Sequence, residues 1–181
     1  MSIKIKIIMK KLLSFLLLTV LCFLYSENIN AQSFEKGQKN FSVGVGAGYG
    51  IGANATVDYG VSDLISIGII GAVSSYSYGY GLLGSNFRLT YIGVGGRGAV
   101  HFGKYLKEIG IDEAKLDPYI GAVGGVRLAK YSSNYSTYYN EANVRPMIGG
   151  FIGARYYFKE KMAIYAEGGT PYSSLGISIK F

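Results

Sequence analysis

Nearly every segment after Gln32 alternates between apolar residues and small or polar ones with a period of two. The clearest stretch runs from Phe41 to Ile51, where apolar side chains take the odd positions and glycines fill positions 44, 46, 48 and 50. Successive side chains of a β-strand point to opposite faces, so this alternation is typical of strands. No segment after Gln32 keeps a helical period, and no apolar run there is long enough for a membrane-spanning helix. We therefore expect an all-β fold.

Eight segments show this alternation. They lie at 41–51, 55–61, 65–74, 87–102, 120–128, 145–156, 164–167 and 175–181. A tilted strand needs about 9 to 11 residues to cross a bilayer, a length that these segments reach with their flanking residues. The sequence therefore predicts an eight-stranded antiparallel transmembrane β-barrel.

The connections between the segments fall into two classes. Residues 62–63 and 159–161 form tight turns, whereas residues 76–86 and 132–143 form longer stretches. Outer-membrane barrels have short turns on the periplasmic side and long loops on the cell surface. We therefore expect the long stretches to face outward. Residues 103–117, on the turn side, are an exception because they include a helix-like segment at 104–109.

The first 31 residues have the composition of a secretory signal peptide. Lysines at 4, 6, 10 and 11 precede an apolar run at 12–24, and a small residue, Ala31, stands at the cleavage position. The run is too short to cross a bilayer. The sequence predicts a cleaved signal peptide at 1–31 and a barrel domain at 32–181. Met9, followed by two lysines, is an equally good start.

The overall basic charge does not indicate a nucleic-acid-binding protein. Cleavage would remove four of the 18 basic residues and one of the 11 acidic ones, so the formal net charge falls from +7 to +4. The remaining basic residues are scattered through alternating segments and form no basic run or helix face. The only cysteine, Cys22, lies in the signal peptide without a small residue before it, so neither a disulfide nor lipidation is expected.

Charged side chains on the alternating segments must face the inside of the barrel. An arginine facing lipid at the bilayer midplane of a barrel costs about 2–4 kcal/mol. An eight-stranded interior has room only for side chains, so long charged groups need the small glycines beside them, and buried charges need partners. We expect a paired network in the lumen, formed by Asp58, Arg97, His101, Arg127, Arg155, Glu167 and Lys180, with Arg145 on the same face.

Aromatic residues cluster near both ends of the segments. Two aromatic girdles, one at each interface, are typical of membrane barrels. The sequence places Tyr59, Phe102, Tyr119, Phe158 and Phe181 in a girdle on the turn side, and Tyr49, Tyr76, Tyr91, Tyr131 and Tyr172 in one on the loop side.

Three stretches carry a resemblance to a known family. They are residues 91–102, which end Gly-Arg-Gly-Ala-Val-His-Phe, residues 117–121, Asp-Pro-Tyr-Ile-Gly, and the closing Leu-Gly-Ile-Ser-Ile-Lys-Phe. With them the chain resembles the small outer-membrane β-barrels of Gram-negative bacteria, OmpX-like or OmpA-like. The resemblance implies an outer-membrane location among lipid and lipopolysaccharide. It also implies insertion by the barrel-assembly machinery, with Phe181 as the terminal aromatic signal.

Apparent catalytic and cofactor motifs have simpler explanations. Residues 93–98 match G-x-G-x-x-G, but a dinucleotide site needs a helix after the motif, and here the motif lies inside one strand. His101 is the only histidine, so it cannot build a metal site without cysteines or clustered carboxylates. No serine or threonine stands at a spacing from His101 that identifies a nucleophile. We expect His101 to be structural, and no cofactor or enzymatic activity.

Two Tyr-rich stretches have the composition of recognition loops, since tyrosine offers rigid contact area and serine, glycine and asparagine offer adaptable hydrogen bonds. The candidate binding residues are Tyr76, Tyr78, Tyr80, Tyr135, Tyr138 and Tyr139. The other interpretation is that they extend strands or belong to a girdle. The sequence thus favours a non-enzymatic barrel with structural and surface-interaction roles and an unidentified ligand. A narrow solute channel and a lipid-modifying enzyme stay open.

Overall fold

The alternating segments form strands that close on themselves. The computed structural model describes residues 34–80, 85–112, 115–132 and 143–181, and its eight strands make one antiparallel barrel. The strands are β1 (Lys39–Ala47), β2 (Ile51–Gly60), β3 (Ile65–Tyr80), β4 (Ser85–His101), β5 (Leu116–Ser132), β6 (Asn143–Lys159), β7 (Met162–Gly169) and β8 (Ser173–Lys180). β1 pairs with β8 and closes the ring. The predicted fold is confirmed, whereas the predicted signal peptide lies outside the described residues.

The two ends of the barrel differ in their connections. We call the end that carries residues 61–64, 102–112 and 160–161 the turn end, and the opposite end the loop end. A 3-10 helix, Gly103–Ile109, lies at the turn end, where the sequence predicted a helix-like segment. No helix in the described part of the chain is long and apolar enough to cross a membrane.

Two predicted boundaries at the loop end are wrong. The alternation of the first segment continues through a turn, because β1 ends at Ala47 and residues 48–50 reverse the chain. Gly50 has a φ of +133°, a conformation that side chains with a Cβ rarely adopt. The expected long loop at 76–86 is mostly strand, since β3 and β4 stay paired as far as Tyr80 and Ser85. Alternation is weak in this stretch, so the sequence did not predict that β3 and β4 remain paired here.

The outside of the barrel is apolar. Large aliphatic side chains at every second position of the strands stand exposed, with Ile148 reaching 83% exposure. Others on this outer face are Val43, Val45, Ile67, Ile69, Ile92, Val94, Ile120 and Ile152. Such a continuous apolar surface would be unstable in water and is typical of barrels that face lipid. The predicted assignment of apolar residues to the outer face agrees with this arrangement.

The inside is packed, and it is closed off at the turn end. Gly153 lies under the Tyr119 ring, so a Cβ there would come within 2.7 Å of it, which explains the need for glycine. At the turn end the segment before β1 folds across the opening, where Phe34 is only 3% exposed. Gly37 donates a backbone hydrogen bond to Gly60, 2.8 Å away, which holds that segment in place.

Candidate functional site

The centre of the barrel contains a charge network built on Arg97. Its guanidinium makes a bidentate hydrogen bond to Glu167, with Nη2 to Oε1 at 2.5 Å and Nη1 to Oε2 at 3.2 Å. Nε lies 3.1 Å from Asp58 Oδ1, an ionic contact without hydrogen-bond geometry. The three side chains are almost fully buried. Because β2, β4 and β7 supply them from around the ring, the network ties the barrel together across its lumen.

Asp58 connects this pair to a second arginine. Arg155 Nη2 donates to Asp58 Oδ2 at 2.7 Å, and Nη1 donates to Asp117 Oδ2 at 3.3 Å. Arg155 is 1% exposed, and its guanidinium lies 4.6 Å from the centre of the Tyr119 ring. Two buried arginines are thus matched by three carboxylates, so the centre of the lumen is occupied by paired charge.

His101 joins the same network at the turn end. Its Nδ1 lies 2.9 Å from Asp117 Oδ1, and its Nε2 lies 2.9 Å from Ser66 Oγ. Sequence spacing identified no serine partner for His101, because Ser66 comes from β3, where its register places it beside β4. The three groups follow the order of nucleophile, base and carboxylate. Phe34 stacks on the imidazole at 3.7 Å, and Ser66 is 2% exposed, so the described structure has no open path to the serine.

The structure brings together five of the seven predicted network residues and separates two. Asp58, Arg97, His101, Arg155 and Glu167 are joined through the contacts above. Lys180 instead lies at the turn end, with its Nζ 3.6 Å from Glu35 Oε1. Arg127 lies near the loop end. Both residues stand at the alternate strand positions whose side chains face inward, as the sequence predicted. Their heights in the barrel, however, keep them away from the central carboxylates.

Sequence reasoning missed Asp117 and misplaced Tyr119. Tyr119 is 1% exposed, and its hydroxyl donates to Glu167 at 3.0 Å, so its predicted place in the turn-side girdle is wrong. The sequence did contain a signal for the inward position of both residues. Counting back from Arg127 in steps of two along β5 reaches both residues, which therefore share its inward face.

The loop end contains a different cluster, formed by Tyr49, Tyr91, Arg127, Arg145 and Tyr172, which we call the loop-end cluster. The Arg127 guanidinium lies 3.8 Å from the centre of the Tyr49 ring and 5.7 Å from that of Tyr91. Tyr49 also contacts Tyr172 edge to face, with ring centres 6.2 Å apart. The predicted girdle position of Tyr49 and Tyr172 is wrong, because these two rings pack against one another and the Tyr49 ring packs against Arg127.

Arg145 completes the loop-end cluster. It is the register partner of Arg127 across β5 and β6, and it is exposed. Within the described residues neither arginine is paired with a carboxylate. Arg145 was expected in the lumen network, which it does not reach.

The predicted binding tyrosines are now placed as far as the structure describes them. Tyr76, Tyr78 and Tyr80 lie on β3, and Tyr76 is 49% exposed. Tyr135, Tyr138 and Tyr139 lie outside the described residues, in the connection between β5 and β6. Among the residues described, no three His, Cys, Asp or Glu side chains could together hold a metal ion.

Comparison with known proteins identifies the fold. No family model and no curated protein matches the sequence. Among solved structures, the N-terminal β-barrel domain of Pseudomonas aeruginosa OprF is similar, with a TM-score of 0.54, 14% identity, and coverage of 81% of this chain and 98% of that one. The chain has the fold of a small outer-membrane β-barrel.

Two further similar structures agree with this fold. A de novo designed transmembrane β-barrel has a TM-score of 0.51 and 16% identity, covering 83% of this chain and 100% of that one. Ail, the attachment invasion locus protein of Yersinia pestis, in complex with the heparin analogue sucrose octasulfate, has a TM-score of 0.50 and 15% identity, covering 81% and 99%. The barrel fold that the resemblance implied is thereby confirmed.

Proposed function

We propose that this chain is a non-enzymatic outer-membrane barrel with a closed lumen, which has a structural role and contacts its surroundings through the loop end. The paired charges at the centre of the lumen carry the proposal. Arg97 and Arg155 are 6% and 1% exposed, and eight strands leave little interior beyond what side chains fill. A lumen filled in this way supports a scaffold rather than a pore.

The apolar outer face supports an outer-membrane location, as do the outer-membrane barrels among its structural neighbours. In the proposed orientation the turn end faces the periplasm and the loop end faces the cell exterior. Lipid and lipopolysaccharide surround the barrel, and the assembly machinery recognises Phe181. Removing Phe181 should lower the amount of barrel in outer-membrane fractions. Normal levels without it would contradict this role.

Epitope tags test the orientation. A tag at Asn134, between β5 and β6, should be reached by antibody on intact cells, as should a tag in the short connection at 81–84. A tag at Gly110, beside the 3-10 helix, should react only after permeabilisation. Labelling of the Gly110 tag on intact cells would reverse the proposed orientation.

Conductance separates this proposal from a narrow channel. In planar bilayers the refolded chain should give rare, small or absent openings, because the Arg97–Glu167 and Arg155–Asp58 pairs occupy the lumen. The basic excess on the inward face predicts that any residual leak favours anions. Large, steady, cation-selective conductance would contradict both the closed lumen and the charge assignment, and the channel would become the better proposal.

A hydrolase is the second candidate, favoured by the arrangement of Ser66, His101 and Asp117. A fluorophosphonate probe on the detergent-solubilised barrel tests it, with Ser66→Ala as control. We expect no labelling of the wild type, since Phe34 covers the imidazole and Ser66 is buried. Labelling that disappears in Ser66→Ala would replace the non-enzymatic proposal with an enzymatic one.

A further inference from the structure

The two loop-end arginines have no counter-charge in the described structure. Arg127 lies against Tyr49, and Arg145 stands directly opposite Arg127 in the β5–β6 register. Like charges directly opposite each other on neighbouring strands are destabilising. An anion held between the two guanidinium groups would remove that repulsion, and guanidinium groups suit carboxylate and sulfate oxygens.

Two buried hydroxyls near the loop end have no partner among the described residues. Tyr172 Oη and Ser74 Oγ are buried and make no hydrogen bond within the described residues, and Ser74 is only 3% exposed. Both residues line one small cavity at the loop end, together with Asn54. A Cβ on Gly93 would come within 2.6 Å of Tyr172 Oη, and Gly93 is the register partner of Arg127. The unsatisfied Tyr172 hydroxyl therefore lies close to the β4 backbone that pairs with Arg127.

Aromatic rings supply the second component of the site. The Tyr49 and Tyr91 ring centres are 5.1 Å apart, and Tyr172 meets Tyr49 at a right angle. Tyrosine rings offer flat apolar surface with a polar tip. Burial raises the pKa of the Tyr172 phenol, so its hydroxyl stays protonated and can donate. Cations beside flat tyrosine rings match a ring-shaped ligand that carries negative charge.

We propose that the loop-end cluster binds an anionic saccharide in the mouth of the barrel. Its sulfate or carboxylate lies between Arg127 and Arg145, and its ring lies against the tyrosines. This proposal rests on the proposed function, because the mouth meets external sugars only if the loop end faces outward.

The sugar could come from a soluble polysaccharide or from lipopolysaccharide, and strand parity distinguishes these sources. Arg127 and Arg145 have inward parity, whereas Arg88 and Lys130 have the parity of the lipid-facing Ile92 and Leu128. Phosphates of lipopolysaccharide packed around the barrel would therefore meet Lys130. A saccharide that enters the mouth would meet Arg145.

Calorimetric titration of the refolded barrel in uncharged detergent tests the site. The probes are chondroitin 6-sulfate disaccharide, maltose as the uncharged sugar, and sodium sulfate as the charge without a sugar. We expect the sulfated disaccharide to bind at least ten times more tightly than either control. Arg145→Gln should weaken its binding about tenfold, since a charge-assisted hydrogen bond is lost. Lys130→Gln, which removes the same charge from the outer face, should stay within about twofold of the wild type.

Each alternative outcome overturns the proposal in a recognisable way. Equal losses in Arg145→Gln and Lys130→Gln would show diffuse charge attraction, and maltose binding as tight as that of the disaccharide would remove the role of the arginines. Purified lipopolysaccharide whose binding depends on Lys130 and not on Arg145 would assign the sugar contact to the outer face instead. No binding of the disaccharide by a correctly folded barrel would refute the site. The tag and conductance experiments would then still decide the proposed function independently.

Discussion

The centre of the barrel and its loop end use the same side chain in different ways. Arg97 and Arg155 at the centre are buried and held by carboxylates, whereas Arg127 and Arg145 at the loop end meet aromatic rings or solvent. All four have inward parity. The alternating position along a strand therefore decides which face of the barrel a charged side chain occupies. The depth of that side chain in the barrel decides whether its charge must be neutralised.

Desolvation explains why depth matters. Removing an ion from water costs several kcal/mol, so a deeply buried arginine persists only with excellent partners. At the mouth Arg145 is exposed and Arg127 is only half-buried, so solvent or contact with a ring is sufficient. The central arginines and their carboxylates therefore stabilise the fold, whereas the loop-end arginines remain available for a ligand.

The strongest test of this comparison removes Asp58. Asp58 contacts both central arginines, so Asp58→Ala would leave two buried cations with fewer partners. We expect a loss of about 3–5 kcal/mol in the free energy of unfolding. The measurement is urea unfolding in lipid vesicles, followed by circular dichroism.

A matched variant at the loop end sharpens the result. Arg127→Gln also removes a single charge from the inward face, but one without a carboxylate partner in the described structure. Its expected loss is at most about 0.5–1 kcal/mol, the size of an exposed cation–π contact, because relief of the repulsion from Arg145 offsets part of it. Comparable losses in Asp58→Ala and Arg127→Gln would show that depth does not separate the two regions.

The comparison also requires the face assignment to be right. Ile148, 83% exposed on the outer face, should tolerate Val but not Arg, with a loss of about 2–4 kcal/mol for Ile148→Arg in vesicles. The sequence alone suggests Gly95→Ser as a mild inward control, but a Cβ on Gly95 would lie 2.7 Å from the Gly124 carbonyl oxygen. Ile148→Val is the better control. Equal stability of Ile148→Arg and Ile148→Val would contradict a lipid-facing position.

The alternation of residues predicted the faces but not the partners. Period two placed Asp58, Arg97 and Glu167 inside because each side chain follows the pleat. Which of these side chains contact each other depends on strand register and on height in the barrel. Both are determined by how the strands pair in the closed barrel, and the alternation does not show them. Ser66 and His101 are 35 residues apart in the chain and meet for this reason. Tyr49 and Tyr172 looked like girdle residues because composition near a strand end does not distinguish the mouth from the interface.

A smaller effect is expected when Glu167 is removed from the centre. Glu167→Ala takes the bidentate partner from Arg97 and the acceptor from Tyr119, while Asp58 remains beside Arg97. We expect a loss of about 1–3 kcal/mol and a rise in ion leak, because one group closing the lumen is gone. Glu167→Gln keeps the volume and separates lost packing from lost charge. A variant with the same ion leak and the same free energy of unfolding as the wild type would mean that Asp58 alone holds Arg97.

The smallest effect concerns the arginine pair itself, and its sign is the informative part. If Arg145 repels Arg127 across the β5–β6 register, Arg145→Gln should raise the free energy of unfolding by about 0.2–1 kcal/mol, or leave it unchanged in high salt. In a double-mutant cycle with Arg127→Gln that gain should disappear, because no second cation remains to be repelled. A carboxylate that holds Arg145 would give the opposite sign, since removing the arginine would then cost stability. The cycle thus distinguishes a loop end kept open for an anion from one already neutralised like the centre.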